Sequence, residues 1–254
     1  MAHTNLVCGV GPITTYSIVA RCDLTGELGA AVASAVPAVG SICLHMRPGV
    51  GAVSTQSWAN PYLAIAILDA MAAGDDAHNA LATALDGDGA ASLRQVGCIG
   101  LKGPGCAYTG ADCTGWCGAR EGISFAAQGN MLTGPEVIDA MADAVVADGP
   151  LEERLMGALE AAQAAGGDKR GRQSASLAVI GAEDYRRVDL RVDEHADPIT
   201  ELRRVLTVAN AQLAPFVAGM PKRGERGEGA PDAVVKMLLR APPDRPGAGG
   251  SRTP

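Results

Sequence analysis

Between Thr15 and Arg21 the side chains alternate, with Tyr16, Ile18 and Ala20 on one side and Ser17, Val19 and Arg21 on the other. That is the two-residue period of a β-strand. Asp23 to Glu27 supplies turn formers and Ala30 to Ser34 resumes an apolar run, so the stretch predicts a β-hairpin. Val36 to Ser41 interrupts the strand pattern, and Gly49 to Ser57 resumes it as a third strand ending in Thr55-Gln56. Helical spacing takes over at Asn60-Pro61. Pro61 suits a first turn, and Leu63, Ile65, Ile67, Leu68 and Met71 give one apolar face up to about Ala73. A second helix is expected from Asp75 or Asp76 to Leu85. Strands follow at Arg94 to Leu101 and near Ala107 to Thr109, then a turn-rich segment to Trp116 and a strand from Ile123 to Asn130. Two amphipathic helices, Pro135 to Val146 and Leu151 to Ala165, end at Gly166-Gly167. Strands at Ala175 to Ile180 and Arg187 to Val192 lead to a last helix from about Ile199 to Leu213. The pattern alone gives a mixed α/β chain with antiparallel hairpins.

Composition changes this picture mainly by exclusion. The 254 residues are 47% hydrophobic and 19% charged, ample for a buried core of one or two domains. Aromatics are only 3%, so packing rests on aliphatic side chains and close approach of small residues. A net charge of −7 disfavours nucleic acid and anionic membranes as partners. No run reaches the roughly 18 apolar residues of a membrane span, and Met1 to Ile13 lacks the basic and long apolar regions of a signal peptide. A cytoplasmic protein is the expectation. Its seven cysteines are odd in number and scattered on apolar segments, which suits reduced, buried thiols. Cys106, Cys113 and Cys117 cluster without a CxxC or a nearby histidine, so neither metal nor cofactor is expected. Beyond Pro215 the chain turns rich in Gly, Pro and charge, predicting a largely disordered tail over 215–254 with a short helix between Ala230 and Arg240.

Several residues carry chemistry by type and position. Gln128 and Asn130 fall at the end of a strand, where their amides suit an oxyanion or a polar substrate; turn-capping ahead of Pro135 explains them equally well. Asp168-Lys169-Arg170-Gly171-Arg172-Gln173-Ser174 gathers three cations in a glycine-punctuated loop. Guanidinium forks bind carboxylate or phosphate bidentately, and ion pairs with Asp168, Asp189 or Asp193 are the other reading. Gln56 and Asn60 follow a strand end, where ligand contacts concentrate. His195 lies among carboxylates as a base or proton shuttle, or simply in a polar loop before a helix. His78 is expected at the surface, and Cys113 as a small buried hydrophobe.

The opening hairpin resembles that of N-terminal-nucleophile (Ntn) hydrolases, in which a threonine, serine or cysteine freed as residue one begins the first strand. The wider run is similar to a bacterial Ntn-hydrolase-like family catalogued as domain of unknown function 1028. The segments that carry the likeness are Thr15 to Arg21, Gly49 to Val53 with Thr55-Gln56, Asn60-Pro61, Arg94 to Gly97, Thr109-Gly110 with Cys113 and Trp116, Gln128-Gly129-Asn130, Gly166 to Ala175, and Val188 to Asp193. They span about residues 14 to 207 in the expected order.

The resemblance implies an α+β fold: a four-layer αββα sandwich, two stacked mainly antiparallel sheets covered by helices, over residues 14–214. Residues 1–13 then stand as an extension or propeptide. It implies an amidohydrolase acting on a C–N bond of a small acidic amide, ureido or lactam compound. Thr15 would be the nucleophile, with Gln128, Asn130 and Asp189 as further catalytic residues. Gln56, Asn60, Arg170, Arg172 and Gln173 would bind substrate. A freed α-amine has a pKa near 7.7 to 8.0, so one residue can be nucleophile and base. Two departures stand out. Relatives commonly carry Met directly before the equivalent threonine, whereas thirteen residues precede Thr14 here, and Ala119 stands where relatives often have histidine. The alternatives are a hydrolase or deaminase of the same fold that activates water through Asp189, Asp193 or His195, and a non-catalytic binding or assembly protein. A small-molecule substrate and a homo-oligomer are the expected partners.

Overall fold

The computed structural model describes residues 15–227 and 229–240. The expected extension at 1–13, Thr14 and the end of the tail lie outside these residues. The chain divides into two compact units, Met1–Arg204 and Val205–Pro254.

In the first unit, β1 (Thr15–Arg21) and β2 (Leu28–Ser34) form the hairpin that the alternation predicts. Both faces of both strands are buried, so the polar positions of β1 face another layer of protein instead of water. A short helix, α1 (Gly40–Cys43), begins inside the Val36 to Ser41 interruption, and a four-residue strand, β3 (Leu44–Arg47), follows in a span where no element was expected. Next come β4 (Gly51–Ser57), α2 (Pro61–Ala73), α3 (Ala77–Asp86), β5 (Arg94–Gly100) and β6 (Cys106–Thr109). Strand β7 (Trp116–Glu121), part of which was read as turns, precedes β8 (Phe125–Leu132). Helices α4 (Glu136–Val145) and α5 (Leu151–Ala164), strands β9 (Ser174–Ile180) and β10 (Arg186–Val192), and the start of α6 (Pro198–Gln212), which runs on past Arg204, complete the order.

The strands make a six-stranded sheet, β10-β9-β2-β1-β8-β7, and a four-stranded sheet, β3-β4-β5-β6, with every pairing antiparallel. Helices α4 and α5 cover the outer face of the first sheet and α2 and α3 that of the second. The result is the expected α+β sandwich of four layers, helices, sheet, sheet, helices. Leu63, Ile67, Leu68 and Met71 of α2 and Ala80 and Leu81 of α3 pack on Val53, Val96 and Cys98. Between the sheets, Val19, Ala30, Val32, Ala52, Ile99 and Ala126 form a second apolar cluster.

That inner cluster fills only part of the sandwich. At one end the buried Arg21 donates to the carbonyls of Gly100, Gly103 and Ile123, fastening the β5–β6 and β7–β8 connections to β1. At the other end the inner face becomes polar. No helix among the described residues is long and apolar enough to cross a membrane.

The second unit holds α7 (Ala214–Ala218) and α8 (Asp232–Leu238), the latter inside the segment expected to form a short helix. Leu206, Val217 and Val234 are its buried apolar side chains among the described residues.

Candidate functional site

Strand register places Thr15 opposite Ser34 on one side and Asn130 on the other. Directly opposed residues of antiparallel strands share a face, so Ser34, Thr15 and Asn130 form a row across β2, β1 and β8. Ser17 and Gln128 stand in the next row. Alternation along β1 turns Thr15 and Ser17 toward the second sheet, while Tyr16 points the other way and donates to Gln163 Oε1 of α5 at 3.1 Å. Burial, followed by the nearby Asp168, holds the Tyr16 phenol well above its ordinary pKa. Facing the two rows are Ser54 and Gln56 of β4 and Gln95 and Gly97 of β5, paired Ser54 with Gly97 and Gln56 with Gln95. A Cβ on Gly97 would fall 2.0 Å from Gln128 Oε1, so only glycine admits the amide there.

These side chains form one buried hydrogen-bond network. Ser54 Oγ donates to Ser17 Oγ at 2.8 Å, and Ser17 donates to Gln56 Oε1 at 2.6 Å. Gln128 Nε2 donates to Ser17 Oγ at 2.8 Å. Gln56 Nε2 donates to the carbonyl of Thr15 at 3.1 Å and to Gln95 Oε1 at 2.8 Å. Asn130 Nδ2 gives a second bond to Gln95 Oε1 at 2.9 Å. Gln95 Nε2 closes the chain on the carbonyl of Gly129 at 2.8 Å and on Thr109 Oγ1 at 3.0 Å. Thr15 itself donates from Oγ1 to Ser34 Oγ at 3.2 Å. Two acceptors stay unpaired although fully buried, Gln128 Oε1 and Asn130 Oδ1.

The cationic loop lies beside the end of β2. Gln173 N–H donates to the Ser34 carbonyl at 2.8 Å, and Ala35 N–H donates to Asp168 Oδ2 at 3.2 Å. Asp168 is buried and also receives the Arg170 N–H at 2.8 Å. Arg170 and Arg172 make ion pairs with Asp168 and Asp197, each at 3.4 Å, from side chains about two-fifths exposed. The loop therefore brings Arg170, Arg172 and Gln173 to the Thr15 end of the sheet, with Asp168 as its anchor.

Other expected residues lie apart. Asn60 caps α2 by accepting from Tyr62 N–H at 3.1 Å, and its Nδ2 donates to Asp88 Oδ2 at 3.0 Å. Asp88 forms a buried ion pair with Arg94 at 2.8 Å, and that guanidinium holds its carboxyl far below the usual carboxylate range. Asn60 thus belongs to a bracket joining α2 to β5. Asp189 is exposed on edge strand β10, with β9 and β2 between it and β1, and pairs with Arg186 at 2.9 Å. Asp193 pairs with Arg191 at 2.8 Å, and His195 Nδ1 accepts the Asp197 N–H at 3.0 Å, both at the surface. No group of three or more His, Cys, Asp or Glu able to hold a metal is found among the described residues.

Non-glycine residues with positive φ mark the two strand ends that carry the network. Ser57 (φ 64°) directly follows Gln56, and Met131 (φ 50°) directly follows Asn130. Such conformations cost of order 1–3 kcal/mol and persist only where surroundings impose them. Thr15, Gln56, Gln128 and Asn130, singled out from the sequence, are brought together by the network, and Asp168, named there as an ion-pair partner of the cationic loop, pairs with Arg170. Ser17, Ser34, Ser54 and Gln95 were not singled out as site residues; they are polar at alternate strand positions, a pattern that also describes a solvated face.

A family model described as "Family of unknown function (DUF1028)" matches residues 15–202. Among solved structures, the chain is similar to protein SPO2555 from Silicibacter pomeroyi, itself assigned to DUF1028, at 28% identity over 82% of this chain and 95% of that one, with a TM-score of 0.76. It also matches Anbu (ancestral beta-subunit) from Yersinia bercovieri at 12% identity, covering 84% of this chain and 100% of that one, with a TM-score of 0.38. An Anbu (Gly-1) mutant from Hyphomicrobium sp. strain MC1 matches at 13% identity, 85% and 100% coverage and a TM-score of 0.40. No curated protein matches the chain.

Proposed function

The chain belongs to the DUF1028 family, and from that premise we propose that it is an amidohydrolase of the N-terminal-nucleophile type, cleaving a C–N bond of a small acidic amide or ureido compound with Thr15 as nucleophile. The observation that carries the reading is the surroundings of Thr15. Its hydroxyl has one side-chain partner, Ser34, and its carbonyl is held by Gln56. Among the described residues no histidine belongs to this network: His45 bonds the Ile42 carbonyl, His195 the Asp197 N–H, and His78 is exposed on α3. Among the described residues, then, none supplies this hydroxyl with a side-chain base that works near neutral pH. An α-amine on the same residue, with its pKa near 7.7 to 8.0, supplies one.

In this mechanism the peptide bond before Thr15 is hydrolysed first. The freed amine takes the Oγ1 proton as Oγ1 bonds to the substrate acyl carbon. The C–N bond then breaks, the leaving nitrogen takes that proton, and water cleaves the Thr15 ester, releasing the acid. Arg170 and Arg172 contact the substrate carboxylate after exchanging their loose, half-exposed ion pairs, and the Gln56, Gln95, Gln128 and Asn130 amides hold Thr15 in place.

Intact mass with N-terminal sequencing of the purified protein tests the reading. The expected result is a chain beginning at Thr15 that hydrolyses an acidic amide, together with an inactive, folded Thr15→Ala variant. A mature chain beginning upstream of Thr15, or undiminished turnover by Thr15→Ala, overturns it.

A further inference from the structure

The network has a direction, and that direction is set by groups that cannot turn round. A backbone carbonyl only accepts. Gln95 Nε2 donates to the carbonyls of Gly129 and Gly118, so Gln95 must present Oε1 to Gln56 and Asn130. Gln56 Nε2 donates to the Thr15 carbonyl, which fixes Gln56 in the same way. Asn130 can then meet Gln95 Oε1 only through its NH2 group, and its oxygen is left facing elsewhere. Asn130 Oδ1 is fully buried and unpaired, on a side chain that shares a face with Thr15.

An unpaired buried acceptor calls for a donor. The backbone N–H of Thr15 lies in the plane of its sheet, whereas Asn130 stands off that plane on the inner face, as does the Thr15 hydroxyl. The donor that completes Asn130 therefore comes from the space in which a group attacked by Thr15 Oγ1 must sit. We propose that Asn130 Oδ1 accepts the N–H of the substrate's amide or ureido group, making Asn130 a specificity residue that selects N–H-bearing amides over tertiary amides. The inference rests on the hydrolase reading. It gives the oxygen of Asn130 the substrate contact, in place of the oxyanion contact expected from its NH2.

The test uses the purified full-length protein and a panel of N-acetyl and N-carbamoyl amino acids, each paired with its N-methylated counterpart. Leaving one buried hydrogen-bonding group unpaired corresponds to on the order of tenfold or more in kcat/KM. The expected result is that preference for the N–H compound in the wild type, falling to near unity in Asn130→Leu or, should that variant not fold, in Asn130→Ser. Damage to the fold alone would slow both members of a pair alike and leave the ratio unchanged. Equal turnover of both by the wild type, as when water fills the acceptor, or a ratio kept in a folded variant, overturns the inference alone. Turnover of no compound in the panel overturns the hydrolase reading and this inference with it.

Discussion

The substitution Gly97→Ala probes the network through one added methyl group. Its Cβ would lie 2.0 Å from Gln128 Oε1, 2.6 Å from Cδ and 2.7 Å from Nε2. Carbon at those distances is far inside van der Waals contact, so either the amide or the strand must move. The amide is not a loose end, because Nε2 is fixed on Ser17 Oγ at 2.8 Å in a fully buried site. Displacing Gln128 forfeits that bond, worth about 1 kcal/mol net. Holding the amide in place instead overpacks the sheet interface, at about 1–3 kcal/mol. A loss of roughly 1–3 kcal/mol follows, or roughly 2–12 °C in melting temperature for a domain of this size. Urea denaturation followed by circular dichroism reads it directly. Combining Gly97→Ala with Gln128→Ala removes the obstruction, so the pair should cost less than the sum of its parts by at least about 1 kcal/mol. A single variant that melts within about 1 °C of the wild type, or strictly additive losses, would refute the packing argument.

Three further outcomes are expected. Asp88→Asn breaks a buried ion pair whose side chains are less than a tenth exposed, and should cost about 3 kcal/mol or more in urea unfolding at neutral pH. Because the folded carboxyl titrates far below its unfolded value of about 3.9, the pair's contribution is complete above that pH and declines as pH falls toward the folded value; a wild-type-to-variant gap that stays constant from pH 6 to pH 2.5 counts against it. Asn60→Ala removes the α2 cap and the bond to Asp88, and should cost about 1–2 kcal/mol in thermal unfolding, with no change meaning that the cap is dispensable. Burial pushes the Cys43 thiol up to about 12, so alkylation mapped by mass spectrometry at pH 8 should modify Cys113 and Cys117, which are partly exposed, well before Cys43; equal rates would contradict its burial.

Local chemistry made much of the fold readable in advance. Asn60-Pro61 and the apolar spacing to about Ala73 made α2 readable from cap and first-turn proline to end, with Leu63, Ile67, Leu68 and Met71 buried as expected; Ile65, expected on the same face, lies on the far side of the helix and is exposed. The β1–β2 hairpin was legible through a similar agreement of local signals. What escaped were short or half-exposed elements: β3 with four residues, and edge strand β7, whose pairing with β8 shifts register between Trp116 and Gly118. A strand with one neighbour and a register shift has little alternation to display. The site was only half readable for a different reason. Ser17, Ser34, Ser54 and Gln95 follow the two-residue period correctly, but polarity at alternate positions usually marks water. Only the stacking of the second sheet turns that face inward, and stacking is a property of the whole chain.

Stability alone gives no account of why this face is polar. One row further along the same strands, Val19, Ala30 and Ala126 meet Ala52 and Ile99, and that arrangement packs without any polar group to satisfy. Continuing it through Thr15, Ser17, Gln128 and Asn130 would spare the desolvation of several hydroxyls and amides, and replacing a buried polar cluster with well-packed apolar side chains is often neutral or stabilising. The chain instead keeps a network that leaves two amide oxygens unpaired and is flanked by two residues with positive φ. Each of those features lowers stability, and all of them gather at the end of β1 that carries Thr15. A fully satisfied network would be sufficient to hold two sheets in register. One that stops short of satisfaction beside a hydroxyl is better explained by a group that arrives from outside and completes it.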